Sequence, residues 1–506
     1  MGRSGSHFFV KTDFLMKSID FEENMVYNNK KQRRNKMRKI LSAMLCAVML
    51  FTCISCAAEA PEIVPEYNGK VSDEAIDLGG RTLIMGMEPN AAIENEGSTL
   101  GYIPNTEFGD LASQRIKDVE KAYNCNIEFN YVSGPGERAY NSAIAGTYIY
   151  DFINQGSFSL INYMRANAFQ DLTAVENLDV FDETKWGNKN MRISTMWDGS
   201  IFGILPAAHP MRLSNSLDEI FVINENYIAQ LLETDPRDYY ENGVWDWEHF
   251  EYCLYNYAHT NSANEYVYSA AASTGGFLRD LAMANGNEFM TIDENGDFEL
   301  GYFTPSAIEA YHQAYEWFNG ATASYLNRDY SLETFLAGGS VLVYIASGHV
   351  LSTTNAIAYH MDNYGIIPVP YGPSAEGPMD FKSSYSSAQY TIAIPITAKD
   401  IEISALVLDT IYEPFEGYET EADVLEYLSD NYFRDERDAA FLLEMTKNDH
   451  AFYHDHLHGF TFWSEIIDSG VTKVVESKEE SLYAAAEKYD LSAYATMKQY
   501  EEYFHE

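Results

Sequence analysis

Positive charge is scarce in this chain. Lys and Arg number 33 against 76 Asp and Glu, a formal net charge of −43. The first 56 residues hold 10 of the basic and 4 of the acidic groups, which leaves 23 against 72 afterwards, a net of −49. Such a body repels phosphate backbones and anionic lipid surfaces, so nucleic acid is not an expected partner. Cysteine is scarce as well, five in 506 residues. Only Cys125 and Cys253 lie beyond residue 56, and both are expected as buried thiols rather than a bridge. No apolar run after residue 56 is long enough for a transmembrane helix. GxSxG elbows, Walker loops and Rossmann fingerprints are missing, so those nucleophile, phosphate and dinucleotide chemistries have no motif to rest on. What remains is a globular composition, 46% hydrophobic and 14% aromatic with 38 Tyr. A chain of this length is too long for one ordinary core, and two large domains or lobes are expected.

The N-terminal part carries a different signal. In "MRKILSAMLCAVMLFTCISCAAEA" (37–60), Arg38 and Lys39 form a basic start, Ile40 to Ile54 an apolar run too short to span a bilayer, and small residues precede Cys56. Ending on cysteine, the stretch resembles a bacterial lipoprotein signal. The resemblance implies cleavage before Cys56, a diacylglycerol on its thiol and acylation of the new amino terminus; Cys53 is second choice. Cys53 and Cys56 also spell CxxC, but within a signal rather than a βαβ unit. Residues 1–36 read as an upstream extension with Met37 the true start, 37–55 as the signal, and 56–78 as a polar tether.

Structure is expected from about residue 79. "RTLIMGM" (81–87), "CNIEFNYV" (125–132), "YDFINQ" (150–155), "IFGILP" (201–206) and "EIFVIN" (219–224) read as strands, with helical periodicity between them as in "FGDLASQRIKDVEKAYN" (108–124). This alternation predicts parallel α/β sheets. Asp246 is placed to cap a helix after "NGVW", and Asn295–Gly296 between alternating runs predicts a hairpin rather than a calcium loop, whose sixth and twelfth positions are here Phe298 and Thr304.

The pieces "YDFINQGS", "FQDLTAV" (169–175), "WDGSIFGILP" (197–206), "IFVINENYIAQLLETDPRDYYENGVWDWEHF" (220–250), "FLAGGSVLVYIASG" (335–348) and "YGIIPVPYGP" (364–373) run in an order that resembles the extracellular solute-binding proteins, family 1, of ABC importers, the carbohydrate-binding lipoproteins above all. The likeness departs at Ile223-Asn224-Glu225, where an aromatic, Asn and Lys are common, and at "SGHV", where many members carry Trp. The resemblance implies a two-lobed periplasmic-binding-protein-like fold of type II, with a ligand cleft between discontinuous lobes. Lobe 1 would be 79–215 with 389–452 and lobe 2 would be 216–388 with 453–506, the crossings falling near Ser214–Asp218 and Ser383–Ala388. It further implies a monomer held outside the cytoplasm by its lipid, binding a mono- or oligosaccharide and passing it unaltered to permease subunits, with no cofactor.

A sugar cleft needs flat aromatic faces and polar side chains, best presented at the carboxyl ends of strands. The candidates so placed are Glu88, Gln155, Gly156 and Ser157; His209 and Asn215 by the first crossing; Tyr344, Ser347 and His349; Tyr371; and Ser384 and Tyr385 by the second. Asp151 reads as a structural hydrogen-bonding residue, and Trp245, Trp247 and Trp317 as packing. A membrane-anchored glycan hydrolase stays open as an alternative, since paired carboxylates are a spatial and not a sequence feature. So does a metal-binding protein: "HAFYHDHLHGF" holds His450, His454, His456 and His458, though no one backbone geometry presents all four, and no metal is expected.

Overall fold

The computed structural model describes residues 76–88, 106–156, 167–186, 199–206, 219–292, 298–351, 356–377 and 390–446, with shorter stretches between them and toward the C-terminus. The signal, Cys56 and most of the tether lie outside the described residues, as does the histidine-rich segment. The first elements are β1 (Arg81–Met87), α1 (Glu107–Tyr123), β2 (Cys125–Tyr131), α2 (Pro135–Ala145) and β3 (Phe152–Gly156). Then come β4 (Glu219–Asn224), α3 (Trp247–Tyr257), β5 (Tyr266–Ala272), α4 (Thr274–Ala284), α5 (Pro305–Asn319), β6 (Leu326–Asn327), β7 (Ser340–Ala346) and β8 (Tyr364–Ile367). The chain continues through β9 (Tyr390–Ala393), α6 (Ile401–Ile411), α7 (Glu421–Asn431), α8 (Glu436–Thr446) and α9 (Thr472–Ser477).

Among the described residues these elements form two large open sheets. The first has the order β9-β3-β1-β2, with β1 parallel to both neighbours and β9 antiparallel to β3. The second has the order β6-β5-β7-β4-β8; β5 and β7 run parallel, while β4 is antiparallel to β7 and to β8. Strands such as β3 and β4 are buried along nearly their whole length, as strands covered on both faces must be. Ile204 bridges Ile392 on the first sheet's side, and Glu219 opens β4 in the second sheet. The chain is back in the first sheet at Tyr390. The two expected crossings fall in these intervals, outside the described residues.

Local chemistry sets the element ends. Thr106 accepts from the Gly109 amide at the start of α1, and Asn124, with φ 48°, ends that helix in the left-handed region that Asn tolerates. Asp246 caps α3 by accepting from the His249 amide, as its position in the sequence predicts. The strands Met290–Ile292 and Phe298–Leu300 pair antiparallel, the expected hairpin. "IFGILP" gives less than a strand: Ser200–Ile201 pairs with Met196–Trp197, and Ile204 makes one bridge.

The layers are tied by long-range polar contacts. Arg115 of α1 reaches the carbonyl oxygens of Glu413 at 2.6 Å and Pro414 at 2.9 Å, with Thr410 at 3.3 Å, so one cation satisfies the negative end of α6. Arg237, 2% exposed, donates to Asp235, to Glu225 and, at 2.7 Å, to Asp438 of α8. Asp438 also accepts from the Ile366 amide of β8 at 2.9 Å, so α8 is held on the second sheet. Gly365 makes room for this arrangement, because a Cβ there would fall 2.2 Å from an Arg237 nitrogen. Helix α9 packs by α4 and α5, with Asn319 donating to the Val475 carbonyl at 2.8 Å.

Tryptophans 245, 247 and 317 are buried, and Trp317 lies with Phe250 and Phe277 in the aromatic core of the second sheet. Trp186 is buried against Tyr412, while the side chain of Trp197 and all of Trp463 lie outside the description. Cys125 and Cys253 are free and buried, and burial pushes their thiols up to about 11 and about 12. Asp151 is the structural residue expected: it accepts from Arg81 at 2.8 Å, the Ile84 amide at 2.9 Å and the Tyr148 hydroxyl at 2.6 Å.

Candidate functional site

The carboxyl ends of the strands bring some candidates together and separate others. In the first sheet, Glu88 follows β1 and its amide bonds the Asn154 carbonyl at 3.3 Å, placing it beside the end of β3. Its carboxylate accepts from the Gly134 amide at 2.9 Å, and the Gln155 side-chain oxygen accepts from the Gly136 amide at 2.9 Å. Both side chains thus close on the first turn of α2, where amides have no intrahelical partner. Gly136 permits the approach: a Cβ there would meet the Tyr163 ring at 2.9 Å and the Gln155 oxygen at 3.0 Å. Gly156 ends β3 and pairs with Tyr390. Glu88, Gln155 and Gly156 therefore form one polar group, with Tyr163 at its side.

In the second sheet the outcome differs. Tyr344 is fully buried, packed against Phe221 at 5.0 Å and Phe277 at 5.5 Å, and its hydroxyl donates to the Asp280 carboxylate. It has no surface to offer a ligand, so its assignment as a direct contact is corrected: it is a core residue. Ser347 is 2% exposed just after β7. His349, half-buried in the short helix Gly348–Leu351, has its imidazole pulled below the ordinary range by burial, so it is neutral at pH 7. Tyr371 lies apart from these, at the start of α3: its backbone pairs with Trp245 and Trp247, and its hydroxyl donates to the Gly243 carbonyl at 3.2 Å. Ser157, His209, Asn215, Ser384 and Tyr385 lie outside the described residues.

Sequence reasoning missed the charged group beneath this end of the second sheet. Glu219 opens β4 opposite Ala346, the last residue of β7. Arg279 donates to Asp280 at 2.7 Å and lies 3.9 Å from Glu219, and Tyr344 completes the group. Gly276, in the first turn of α4, leaves the space the Glu219 carboxylate fills. Burial and the Asp280 charge push the Tyr344 phenol well up, so it remains a donor. The only sequence signal was the adjacent pair Arg279–Asp280 within an apolar helix. The group ties the start of β4 and the end of β7 to the middle of α4. Among the described residues, no group of three or more His, Cys, Asp or Glu is placed to hold a metal ion, and no helix is long and apolar enough to cross a membrane.

The sequence matches no protein-family model and no curated protein. Solved structures do match. A cyclo/maltodextrin-binding protein complexed with maltotetraose is similar over 83% of this chain and 97% of its own, with a TM-score of 0.54 at 12% identity. The GacH receptor of Streptomyces glaucescens GLA.O, solved unliganded and with acarbose and an acarbose homolog, is similar over 83% and 99%, with a TM-score of 0.50 at 11% identity. At these identities the likeness is one of fold: the chain has the two-lobed, mixed α/β architecture of periplasmic-type binding proteins.

Proposed function

We propose that this protein is the substrate-binding lipoprotein of an ABC importer of the extracellular solute-binding family 1 type. It takes a neutral mono- or oligosaccharide between its lobes and passes it to the permease without altering it. The observation that carries the reading is the two-lobed architecture, shared along nearly the whole length of neighbours described with maltotetraose and with acarbose. Lobe 1 is residues 79–215 with the segment that returns through β9 and α6. Lobe 2 is residues 216–388 with the C-terminal stretch, to which α8 is added because it bonds β8. Glu88, Gln155 and Gly156 would meet the ligand from the first lobe, and Ser347 and His349 from the second. Ser157, His209, Asn215, Ser384 and Tyr385 complete the proposed contact set, with Tyr371 at the margin.

The ligand closes the lobes only by binding the closed state better than the open one. Cys56 is the lipidated residue, holding a monomer on the outer side of the cell membrane, and no step of the function is catalytic.

A thermal-shift panel of neutral sugars on protein starting at Cys56 tests the reading. A sugar at about a hundred times its dissociation constant stabilises by about 2.7 kcal/mol. Small-angle scattering with that sugar should show a smaller radius of gyration. No shift with any sugar, or release of a chemically changed sugar, would overturn the assignment.

A further inference from the structure

We infer that Glu88 is a specificity-determining residue, a built-in carboxylate that keeps acidic sugars off the start of α2, and that Glu219 does the same at the start of α4. The inference rests on the inter-lobe reading above and adds which atoms decide the ligand charge that the site admits. An α/β sheet presents the starts of its helices at the carboxyl ends of its strands. β1 and β3 run parallel and end at Met87 and Gly156, and the eleven-residue α2 begins beside them with Gly134 as its cap. Gly134 supplies no capping side chain, and Pro135 after it has no amide hydrogen. A helix start in that state carries about half a positive charge and takes up carboxylate or phosphate readily. Here the place is already filled. The Gly136 amide donates to the neutral Gln155 side chain at 2.9 Å, and the Gly134 amide donates to the Glu88 carboxylate at 2.9 Å. One full negative charge against about half a positive one leaves the helix start net negative. On the same turn Glu137 and Arg138 are exposed and offset each other. The Tyr163 phenol beside them is pushed up by burial and then by Glu137 and Glu88, so it stays a neutral donor.

The second sheet repeats the arrangement with different residues. β5 and β7 run parallel, and α4 follows β5 after Ser273, a cap whose hydroxyl makes no bond to the helix. Glu219 arrives from β4, two strands away from β5, and its carboxylate lies in the space that Gly276 leaves in the first turn of α4. Arg279 lies 3.9 Å from Glu219, but its charge is matched by Asp280 at 2.7 Å, so this helix start is net negative as well. Two unrelated chain segments thus bring a glutamate onto the helix start at the carboxyl end of each sheet. Neutral sugar hydroxyls can donate to a carboxylate. A uronate or a sulfated or phosphorylated sugar meets like charge instead, in a body that is already strongly anionic.

The test is isothermal titration of mature protein starting at Cys56 with glucose, galactose and maltotetraose, and with glucuronate, galacturonate and inorganic sulfate. Wild type is compared with Glu88→Gln, Glu88→Ala and Glu88→Asp. Glu88→Gln keeps an oxygen for the Gly134 amide and removes only the charge; Glu88→Asp keeps the charge. Wild type and Glu88→Asp are expected to reject the anions. Glu88→Gln and Glu88→Ala are expected to bind at least one of them at least tenfold more tightly than wild type does. That ratio should narrow toward one in 1 M salt, where charges are screened beyond about 3 Å, which a steric role would not show. Wild type that binds a uronate as tightly as its neutral counterpart would overturn the inference, whatever the folding of the variants. So would Glu88→Gln and Glu88→Ala that fold and take up the anions no better than wild type. Anion uptake gained by these variants, with no neutral sugar bound by any form, would instead count against the inter-lobe sugar reading alone.

Discussion

Replacing Tyr344 by Phe is the sharpest test of how the second sheet is held. The substitution keeps the ring against Phe221 and Phe277 and removes only the hydroxyl that donates to Asp280. Asp280 is 1% exposed and keeps Arg279 as a partner, so the loss is one charge-assisted hydrogen bond in a dry setting. Such bonds contribute about 1.5–3 kcal/mol, and the acceptor left short a donor places the expected cost at about 2–3 kcal/mol. Tyr344→Ala would add the loss of a buried aromatic ring, about 3–5 kcal/mol, so it reports on folding before it reports on sugar binding. Urea titration of wild type, Tyr344→Phe, Asp280→Asn and the double variant forms a cycle with an expected coupling of at least about 1 kcal/mol. A Tyr344→Phe midpoint within error of wild type, or additive single effects, would refute the reasoning.

Asp438 is held up at about 6 by burial, although Arg237 opposes the shift. Its folded-state value lies above the unfolded one, so the native state binds the proton more tightly and this group adds stability as pH falls. Between pH 7 and 5 that gain is about 1 kcal/mol, and urea midpoints at the two pH values should show it in wild type and not in Asp438→Asn. Gly365→Ala would drive a methyl into the Arg237 guanidinium, and a loss of about 3 kcal/mol or more by denaturant titration is expected. Cys56→Ala should move the protein from the membrane fraction to the soluble one in its native host; unchanged partitioning would transfer the assignment to Cys53 or remove it. Chelator should leave the melting temperature unaltered, whereas a large drop would make the segment around His450 to His458 a structural metal site.

Strands β1, β3, β4 and β7 were legible as continuous apolar runs and β2 by its alternation, but β5, β6 and β9 were not, and the expected parallel sheets are mixed because β4 and β9 run antiparallel to their neighbours; the Asp246 cap and the 290–300 hairpin were legible because they depend on neighbours in sequence. The same buried runs hid which face a residue takes. In "VLVYIA" both faces are covered, so no alternation marks Tyr344 as inside, and its place near a strand end suggested a ligand contact. Arg237 was illegible for another reason: its partner Asp438 is 201 residues away, and nothing local distinguishes a buried cation from a solvated one. Glu88 and Gln155 were found at strand ends, but the helix amides they bond could be seen only once α2 was folded against β1 and β3.

The contact between Arg237 and Asp438 has a bearing on how the chain is made. The first sheet lacks its edge strand until Tyr390–Ala393 has been synthesised. The second leaves Arg237 without one of its carboxylates until Asp438 follows. A shorter nascent chain would have to bury that guanidinium without this partner, or leave it in water with β8 uncovered. Each half therefore completes its packing only with residues placed late in the chain.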